Sequence, residues 1–464
     1  MTYSEVIADF VNQVNFSDLS PAIVEIVKKC MLDAIGNALF GFNTPWASSV
    51  TGFVREEGGS QEATVINCPE KVPSANAAFA NGTMMHSFDF DDAGEHGGHP
   101  GAVIIPAALS VAEKLGANGR DIVESVVIGY EIKNRLLKAV DPLPEKNHYA
   151  RGFHPTGTCG TFASAVVAGK LLSSTREEIC NSLGVAGSFA AGSLEWLSDG
   201  SMTKRFHPGK AAHDGIVSAI LARKGLTGPR SIFEGKYGFL KAYSDITEPQ
   251  KLIDRLGSPP FEIEKTVFKL NAACLAAHSS LDGILEIMRE NNLEAKDVER
   301  ITIGIRKSHY RLIAEPQSTI YTPTTVLQAQ MSLPYCAAFV ALHGRAILPT
   351  DLDEKSIKDA NILRFAKKVQ PVLDAKLEEK EYYDKRPAKV ELTTSDGRKI
   401  KKEIAFPRGD PRNPVPLSVL QEKFSNLASP VIGSEKVLRI VEAVRALDKM
   451  DDLTELGNLL RPTK

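Results

Sequence analysis

The sequence lacks paired cysteines, although it contains six cysteines among its 464 residues. No two of them form a Cys-x-x-Cys pair, which is the spacing typical of zinc knuckles and thiol redox motifs. The six are scattered along the chain, at Cys30, Cys68, Cys159, Cys180, Cys274 and Cys336. This scatter argues against a disulfide framework and indicates a reducing compartment.

Long apolar runs and an excess of one charge are also missing. No stretch of about 18 apolar residues could span a bilayer, and the opening MTYSEVIADF lacks the basic start and apolar core of a signal peptide. Lys and Arg total 55 against 57 Asp and Glu, so the net charge of −2 creates no overall field that attracts nucleic acid or an anionic membrane. We expect a soluble, cytoplasmic protein without nucleic-acid or membrane partners.

Motifs that bind the common cofactors are absent as well. The sequence has no Gly-x-Gly-x-x-Gly after a predicted strand and no P-loop. It also has no cysteine cluster that could hold an iron–sulfur centre. We therefore expect the protein to work without a cofactor.

The first half has the periodicity of helices. Ser20 is a typical N-cap, Pro21 suits the first helical position, and the apolar pattern then continues to Gly41. Further stretches are rich in Ala and Gly, which let helices approach closely. They lie at 75–92, 101–115, 120–138, 159–172, 176–192 and 210–224.

The pattern changes after Ser258-Pro259-Pro260. Apolar residues alternate with polar ones at 298–306, and the alternating segments 389–394 and 399–406 flank the turn Ser395-Asp-Gly-Arg, which predicts a hairpin. Helical patterns occupy 277–291, 324–343, 354–368, 374–380, 416–428 and 434–447. The sequence therefore predicts a mainly α protein. A large all-helical domain is built from residues 1–261 and 409–464, and an α+β domain at 262–408 is inserted into it.

The densest polar cluster is HSFDFDDAGEHGGHP at 86–100. His86, Asp89 and Asp92 share one face if the preceding helix continues through them, and a carboxylate there could orient an imidazole or act as a base. Two other interpretations stay open. The segment could be a capped helix end with a solvated acidic loop, or His96-x-x-His99 and its carboxylates could bind a metal.

Two further clusters precede predicted helices. In RGFHPTGTCG at 151–160, a helix N-terminus could hold a carboxylate; capping would explain Thr156 and Thr158, but not Arg151 and His154 directly before them. In DGSMTKRFHPGK at 199–210, cations and a histidine gather in a predicted loop before a helix that starts near Ala211. A solvated basic loop is the alternative interpretation there.

The fourth cluster is KLNAACLAAH at 269–278. Cys274 and His278 are four residues apart, so they lie one above the other if this segment is helical. A buried, inert thiol is an equally good interpretation of Cys274.

In this order and at these spacings, the clusters resemble the MmgE/PrpD family, which includes 2-methylcitrate dehydratases, cis-aconitate decarboxylases and an iminodisuccinate epimerase. The resemblance covers nearly the whole chain and includes HSFDFDD, RGFHPTGTCGTFASA, DGSMTKRFHPGKAAHDG, Lys-x4-Cys-x3-His and QAQMSLPY at 328–335. It implies that the α+β domain is a lid over the helical domain, with the active site between them, and that the protein is a homodimer.

The resemblance also implies the site residues. The positions that line the family's site are Asp89, His99, His154, Lys204 and Lys269, and His278 matches its final histidine. Three positions depart from family patterns: the decarboxylase has Thr where this chain has Ala93 and His where it has Cys274, and many members have Arg where it has Leu275.

A common chemistry connects these residues. Removing a proton next to a carboxylate builds a dianion, so catalysis needs a base, fixed cations and an acid. We expect Lys204 and Lys269 to bind substrate carboxylates, His154 and His99 to exchange protons, and Asp89 to orient a histidine or act as the base. Further substrate contacts are expected from Arg151, Thr156, Thr158, His207, Cys274 and His278.

The expected substrate is a small di- or tricarboxylic acid, and a dehydratase-like hydro-lyase ranks first. An epimerase ranks second, because Cys274 and a histidine could form a two-base pair, and a decarboxylase ranks third. A metal-dependent hydrolase and a non-catalytic binding protein are the alternatives from other classes.

Overall fold

The computed structural model describes residues 1–142, 148–379 and 385–462. Helices dominate its first half and are joined by short connections. In chain order they are α1 (Tyr3–Gln13), α2 (Pro21–Gly41), α3 (Pro45–Glu57), α4 (Ser74–Met85), α5 (Gly101–Leu115), α6 (Gly119–Val140), α7 (Pro155–Leu171), α8 (Arg176–Phe189), α9 (Trp196–Asp199), α10 (Thr203–Arg223) and α11 (Phe239–Tyr243). A two-stranded ribbon of β1 (Ala63–Thr64) and β2 (Lys71–Val72) lies between α3 and α4.

Helix α2 begins as its sequence predicts. The Ser20 hydroxyl accepts a hydrogen bond from the Ile23 amide, and Pro21 occupies the first turn, where its missing N–H costs no helical bond. The predicted helix at 101–115 is α5 itself. Local signals thus sufficed where capping residues and apolar periodicity agreed.

Glycines allow the helices that carry the candidate site to pack closely. Helix α10 packs on α4 and α7. A Cβ atom on Gly209 of α10 would lie 2.2 Å from the Phe79 carbonyl oxygen of α4, and one on Gly82 would lie 2.8 Å from the Gly209 Cα. A side chain at either position would push α10 away from α4, so these glycines set the distance between the two helices.

The second half combines a sheet with helices, as predicted. Its strands are β3 (Val298–Ile305), β4 (Val369–Leu373), β5 (Ala388–Thr394) and β6 (Lys399–Ile404), in the order β4-β3-β5-β6. Strand β3 runs parallel to β4 and antiparallel to β5, with Ile303 opposite both Pro371 and Val390. The helices of this half are α12 (His278–Glu290), α13 (Lys307–Ile313), α14 (Gln317–Ile320), α15 (Val326–Gln330), α16 (Leu333–His343) and α17 (Ala360–Ala366).

The chain returns to helix in α18 (Leu417–Ile432), α19 (Ser434–Arg445) and α20 (Thr454–Leu459). Helix α18 packs against α2, and its Leu420 and Phe424 join the apolar core of the first half, whereas Leu427 joins the core around the sheet. The mainly α fold is therefore confirmed. The domain boundaries at 261/262 and 408/409, the homodimer and the cytoplasmic location stay predictions.

Within the described ranges, we find no helix of the length and apolarity needed to cross a bilayer.

Candidate active site

Asp89 is the centre of the candidate site. Its Oδ2 lies 2.6 Å from the Lys204 Nζ, and its Oδ1 lies 2.7 Å from the Lys269 Nζ and 3.2 Å from the His99 Nε2. All four side chains are buried. Burial alone would raise the pKa of Asp89, but Lys204 and Lys269 outweigh it and hold this pKa well below its usual value. Asp89 is therefore a carboxylate held between two ammonium groups.

The backbone turns sharply to present this carboxylate. Helix α4 ends at Met85 and His86 is its C-cap, so the helix predicted over 75–92 is wrong beyond residue 85. Asp89 has φ = 50°, in the left-handed region that a non-glycine residue adopts only at a cost. The predicted common helical face of His86, Asp89 and Asp92 is therefore also wrong.

The His99 ring is held between two carboxylates and one backbone oxygen. Its Nδ1 lies 3.0 Å from the Asp92 carbonyl oxygen and 3.2 Å from the Asp91 Oδ2, while its Nε2 faces Asp89. The Thr156 hydroxyl accepts a hydrogen bond from the His99 amide at 3.1 Å. Thr156 thus supports the segment that carries His99 from the first turn of α7.

His86 lies behind His99. Its Nδ1 is 2.9 Å from the Asp91 Oδ1, and its ring centroid is 4.3 Å from that of His99. Burial, opposed by Asp91, lowers the pKa of His86 to about 3, so this ring is neutral near pH 7. Asp91 thus contacts two imidazoles at once.

A second pair of histidines lies on the other side of the site. His154 is the N-cap residue of α7, and its Nδ1 lies 2.9 Å from the Nδ1 of His207 on α10. Helix α10 starts at Thr203, so the predicted loop over 199–210 and the helix start near Ala211 are wrong. Lys204 and His207 therefore project from a rigid helix, although Pro208 lies inside it.

Trp196 covers Lys204 and His154. The Lys204 Nζ lies 5.4 Å from the Trp196 ring centroid, and the His154 ring meets the indole edge-on at a centroid distance of 5.7 Å. Trp196 is 3% exposed, and its Nε1–H has no acceptor within the described residues. A buried donor without a partner is costly, which makes Trp196 a candidate substrate contact that the sequence did not reveal.

Cys274 and His278 do not form the expected helical pair. Cys274 has an extended backbone (ψ = 132°), a short 3-10 helix follows at Leu275–Ala277, and α12 begins at His278. Burial, followed by the charge of Asp89, raises the pKa of the Cys274 thiol. Burial, followed by Lys269, lowers the pKa of His278 to about 3, and its Nε2 lies 3.3 Å from the Ala273 carbonyl oxygen.

Two of the expected substrate contacts lie elsewhere. Arg151 pairs with Asp245 at 2.9 Å, and its side chain is 38% exposed. The Thr158 hydroxyl lies 2.6 Å from the His148 Nε2, in a contact separate from Asp89. The structure brings neither residue into contact with the Asp89 cluster.

The two histidines of His96-x-x-His99 are not placed to bind one metal ion together. The His96 side chain is 35% exposed, with its Nε2 3.7 Å from a Glu95 carboxylate oxygen, whereas His99 points into the site. A different set of possible ligands, His86, Asp89, Asp91 and His99, does converge to within 4.8 Å. However, both oxygens of Asp89 already contact ammonium groups, whose charge opposes a cation beside them.

Lys423 of α18 is a supporting residue that lies outside the sequence motifs. Its Nζ donates to the Asp33 Oδ1 at 2.6 Å, to the Phe90 carbonyl oxygen at 2.6 Å and to the Lys269 carbonyl oxygen at 2.9 Å. The ammonium thereby joins the residue after Asp89 to the backbone of Lys269. The sequence does contain a sign that Lys423 is buried, because helical periodicity places residue 423 on the same face as Leu420 and Leu427.

Gln330 and Arg205 make a second link between the two halves. The Arg205 Nη2 donates to the Gln330 Oε1 at 3.0 Å, and the Gln330 Nε2 donates to the Ala272 carbonyl oxygen at 3.2 Å and to that of Phe88. The QAQMSLPY segment therefore contributes a residue that ties the Asp89 loop to the Lys269 segment.

Comparisons with known proteins identify the family of this chain. The MmgE/PrpD N-terminal domain matches residues 5–252, and the MmgE/PrpD C-terminal domain matches residues 272–449. The chain is 25% identical over 470 residues to a cis-aconitate decarboxylase of Homo sapiens, covering 99% of this chain and 94% of that protein. It is 24% identical over 460 residues to a 2-methylcitrate dehydratase-like protein of Aspergillus oryzae, covering 92% of this chain and 88% of that protein. Because the N-terminal domain alone matches more than half of its length, this chain belongs to the MmgE/PrpD family.

Proposed function

We propose that this protein is a lyase that removes the proton next to a carboxylate of a small di- or tricarboxylic acid. The observation that carries the proposal is the buried Asp89 carboxylate between Lys204 and Lys269, with His99 beside it. His154 adds a second imidazole, whose ring is 6.2 Å from that of His86. This set supplies the base, the cations and the acid that such a reaction needs.

The two lysines are the proposed carboxylate-binding groups. Each ammonium has three N–H donors, and Asp89 accepts from one of them on each lysine, so further N–H groups can bind a substrate oxygen. In a buried site these charges act at a low effective dielectric constant. Negative charge that builds on the substrate carboxylate during deprotonation is then stabilised by groups already in place.

The proton-transfer roles follow from the surroundings of each group. Asp89 is held ionised by two ammoniums, which makes it a weak base and a good orienting group. Both nitrogens of His99 face oxygen atoms beside Asp89, which places this ring to pass a proton to a leaving group. His154 is the proposed base: burial and His207 hold its pKa well below the usual value, so its ring is unprotonated, and unlike Asp89 it is not paired with an ammonium group.

Dehydration is the first candidate reaction. The base takes the proton from the carbon next to the carboxylate, the electron pair forms a carbon–carbon double bond, and the β-hydroxyl leaves as water with a proton from the acid. Ala93 supports this choice over decarboxylation. Ala93 pairs with Val267 and packs with Leu275 in an apolar cluster, so this position lacks the threonine hydroxyl that the resemblance gives to the decarboxylase.

Decarboxylation is the second candidate, and relatives favour it. Proteins named cis-aconitate decarboxylase match this chain over nearly its full length, including one of Mus musculus that is 26% identical over 474 residues. In that reaction the carbon–carbon bond to a carboxylate breaks, carbon dioxide leaves, and the remaining carbanion takes a proton. Lys204 and Lys269 would again bind carboxylates, and His99 would supply the proton.

One experiment separates these reactions. The purified protein is incubated in D₂O with EDTA and 2-methylcitrate, citrate, cis-aconitate or iminodisuccinate, and the substrate C–H signals are followed by proton NMR. We expect turnover of at least one substrate, and the product identifies water loss, carbon dioxide loss or epimerisation. His154→Ala should slow that reaction by at least about 100-fold.

The other outcomes contradict the proposal in different ways. Activity that requires an added divalent metal would support a metal-dependent enzyme. Inactivity with every substrate, both with and without metal, would oppose polycarboxylate chemistry and favour a non-catalytic role.

A further inference from the structure

His207, which the sequence analysis expects to contact substrate, instead contacts the ring of His154. The two Nδ1 atoms lie 2.9 Å apart, a hydrogen-bonding distance, and both rings are buried. A hydrogen bond between two like nitrogen atoms needs one proton, carried by one ring and accepted by the other. The two histidines therefore cannot choose their tautomers independently.

Both rings are neutral when the site is empty of substrate. Burial, with the nearby Lys210 and Lys204, lowers the pKa of His207 to about 4. Burial and His207 hold the pKa of His154 well below its usual value, with smaller effects from His86, Lys204 and His99. Among the described residues, no carboxylate is one of the groups that most affect the pKa values of this pair, so none of these groups favours an imidazolium at His207.

We propose that His207 is a positioning residue whose Nδ1 accepts the Nδ1–H of His154 and so keeps the His154 lone pair on Nε2. The inference rests on the proposed function in one respect, because His154 must present a lone pair to abstract a proton. Its Nε2 has no hydrogen-bond partner among the described residues, so it is the nitrogen that is free to meet a substrate.

The same contact would stabilise the product of proton transfer. When Nε2 of His154 takes the substrate proton, the ring becomes an imidazolium, and its Nδ1–H still donates to the neutral His207. No second proton moves, and His154 remains the donor and His207 the acceptor of this hydrogen bond. A neutral histidine here does for His154 what a carboxylate does for the histidine of a catalytic triad.

Rigid elements on both sides maintain this geometry. The His154 amide donates to the Gly192 carbonyl oxygen at 2.9 Å, and its own carbonyl oxygen accepts from the Gly157 and Thr158 amides. A Cβ atom on Gly157 would lie 3.4 Å from the His207 Cβ, so α7 and α10 are in contact at this point. The backbones that carry the two rings are therefore held in fixed positions relative to each other.

The test measures the tautomer directly and without substrate. Deuterated protein with ¹⁵N-labelled histidine gives the ring nitrogen shifts, and His154→Ala assigns the His154 signals. We expect the Nδ1–H tautomer in the wild type and in His207→Asn, whose amide oxygen can replace Nδ1 as the acceptor. In His207→Leu the ring should change to a mixture rich in the Nε2–H tautomer. A wild-type Nε2–H tautomer, or no change in His207→Leu, would overturn the inference.

Kinetics give the second readout. His207→Leu should lower kcat about 10²-fold with little change in KM, whereas His207→Asn should stay within about threefold of the wild type. His213→Asn is the matched control, since His213 lies further along α10, pairs with Asp214 at 2.8 Å and is 33% exposed in its side chain. A higher KM at constant kcat in His207→Leu would assign His207 to substrate binding instead. Wild-type inactivity towards the substrates would count against the proposed function alone, since the tautomer is read without them.

Discussion

The ammonium of Lys269 lies 2.7 Å from the carboxylate of Asp89, although 180 residues separate the two along the chain. Asp89 follows α4 in the helical first half, whereas Lys269 lies in the second half, ahead of α12. The same carboxylate also contacts Lys204 on α10 at 2.6 Å. The candidate site therefore forms only when both halves of the chain are packed together.

Replacing Lys204 by Ala should slow the reaction by at least about 100-fold, because one of the two cations that face the developing negative charge is lost. The rate of substrate C–H loss measured by NMR checks this. Lys224→Ala, at the exposed end of the same helix, is the control and should retain wild-type activity. Near-normal turnover of Lys204→Ala would remove this lysine from the mechanism.

Replacing Trp196 by Phe should raise KM about tenfold and leave kcat within about threefold, because the aromatic face over Lys204 remains while the unpartnered N–H is lost. Steady-state kinetics on the best substrate provide the measurement. The control is Trp46→Phe, since the Trp46 N–H already donates to the Ser87 hydroxyl at 2.9 Å. An unchanged KM in Trp196→Phe would show that substrate does not use the indole donor.

Asp92 should make the protein less stable as the pH rises from about 4 to 7. Burial, followed by the charge of Asp33, raises the pKa of Asp92 to about 7, whereas an unfolded Asp titrates near 3.9. The folded state therefore binds more protons in this window, and its stability falls by up to about 1.4 kcal/mol per pH unit.

Asp92→Asn removes this titration but keeps an oxygen that can accept from the Gly101 amide. The free energy of unfolding of Asp92→Asn minus that of the wild type should therefore rise between about pH 4 and 7 and then level off. Urea unfolding at several pH values measures this difference. Asp451→Asn, at an exposed position, should show no such trend, and a flat difference for Asp92→Asn would contradict the raised pKa.

Replacing Lys423 by Met should lower the free energy of unfolding by about 3–5 kcal/mol, because Asp33 would be left as a buried charge and two carbonyl groups would lose their donor. Chemical denaturation measures the loss. The double variant with Asp33→Asn should recover part of it, which a simple packing defect would not allow. Glu422→Gln, at the exposed neighbouring residue, is the control.

The sequence predicted the fold well where local signals and packing agree. The strands at 298–306 and 389–394 and the hairpin between β5 and β6 are confirmed. Strand β4 was missed because Pro371 lies inside it and argues against a strand. Its position at the sheet edge explains why the proline is tolerated there. The helix predicted at 324–343 is interrupted between α15 and α16, where Ser332 caps a new helix that starts just before Pro334.

The site was predicted as a set of residues but not as a geometry. The motifs included Asp89, His99, His154, Lys204 and Lys269, which the structure places in one region, yet the predicted secondary structure around Asp89 and Lys204 was wrong. Proline and glycine at 208–209 favoured a loop, whereas packing of α10 against α4 and α7 stabilises a helix there. The left-handed turn at Asp89 and the contact of His154 with His207 depend on residues distant in sequence, which local patterns do not encode.

The three hydrogen bonds of Lys423 can form only late in the synthesis of the chain. A ribosome adds residues from the amino end, so Asp89, Lys204 and Lys269 all leave it long before residue 423 does. Until α18 arrives, the Phe90 and Lys269 carbonyl groups lack their shared donor, and Asp33 lacks its cation. A nascent chain that already contains every proposed reactive group is therefore still without the residue that links the backbone next to Asp89 to that of Lys269 until α18 has emerged.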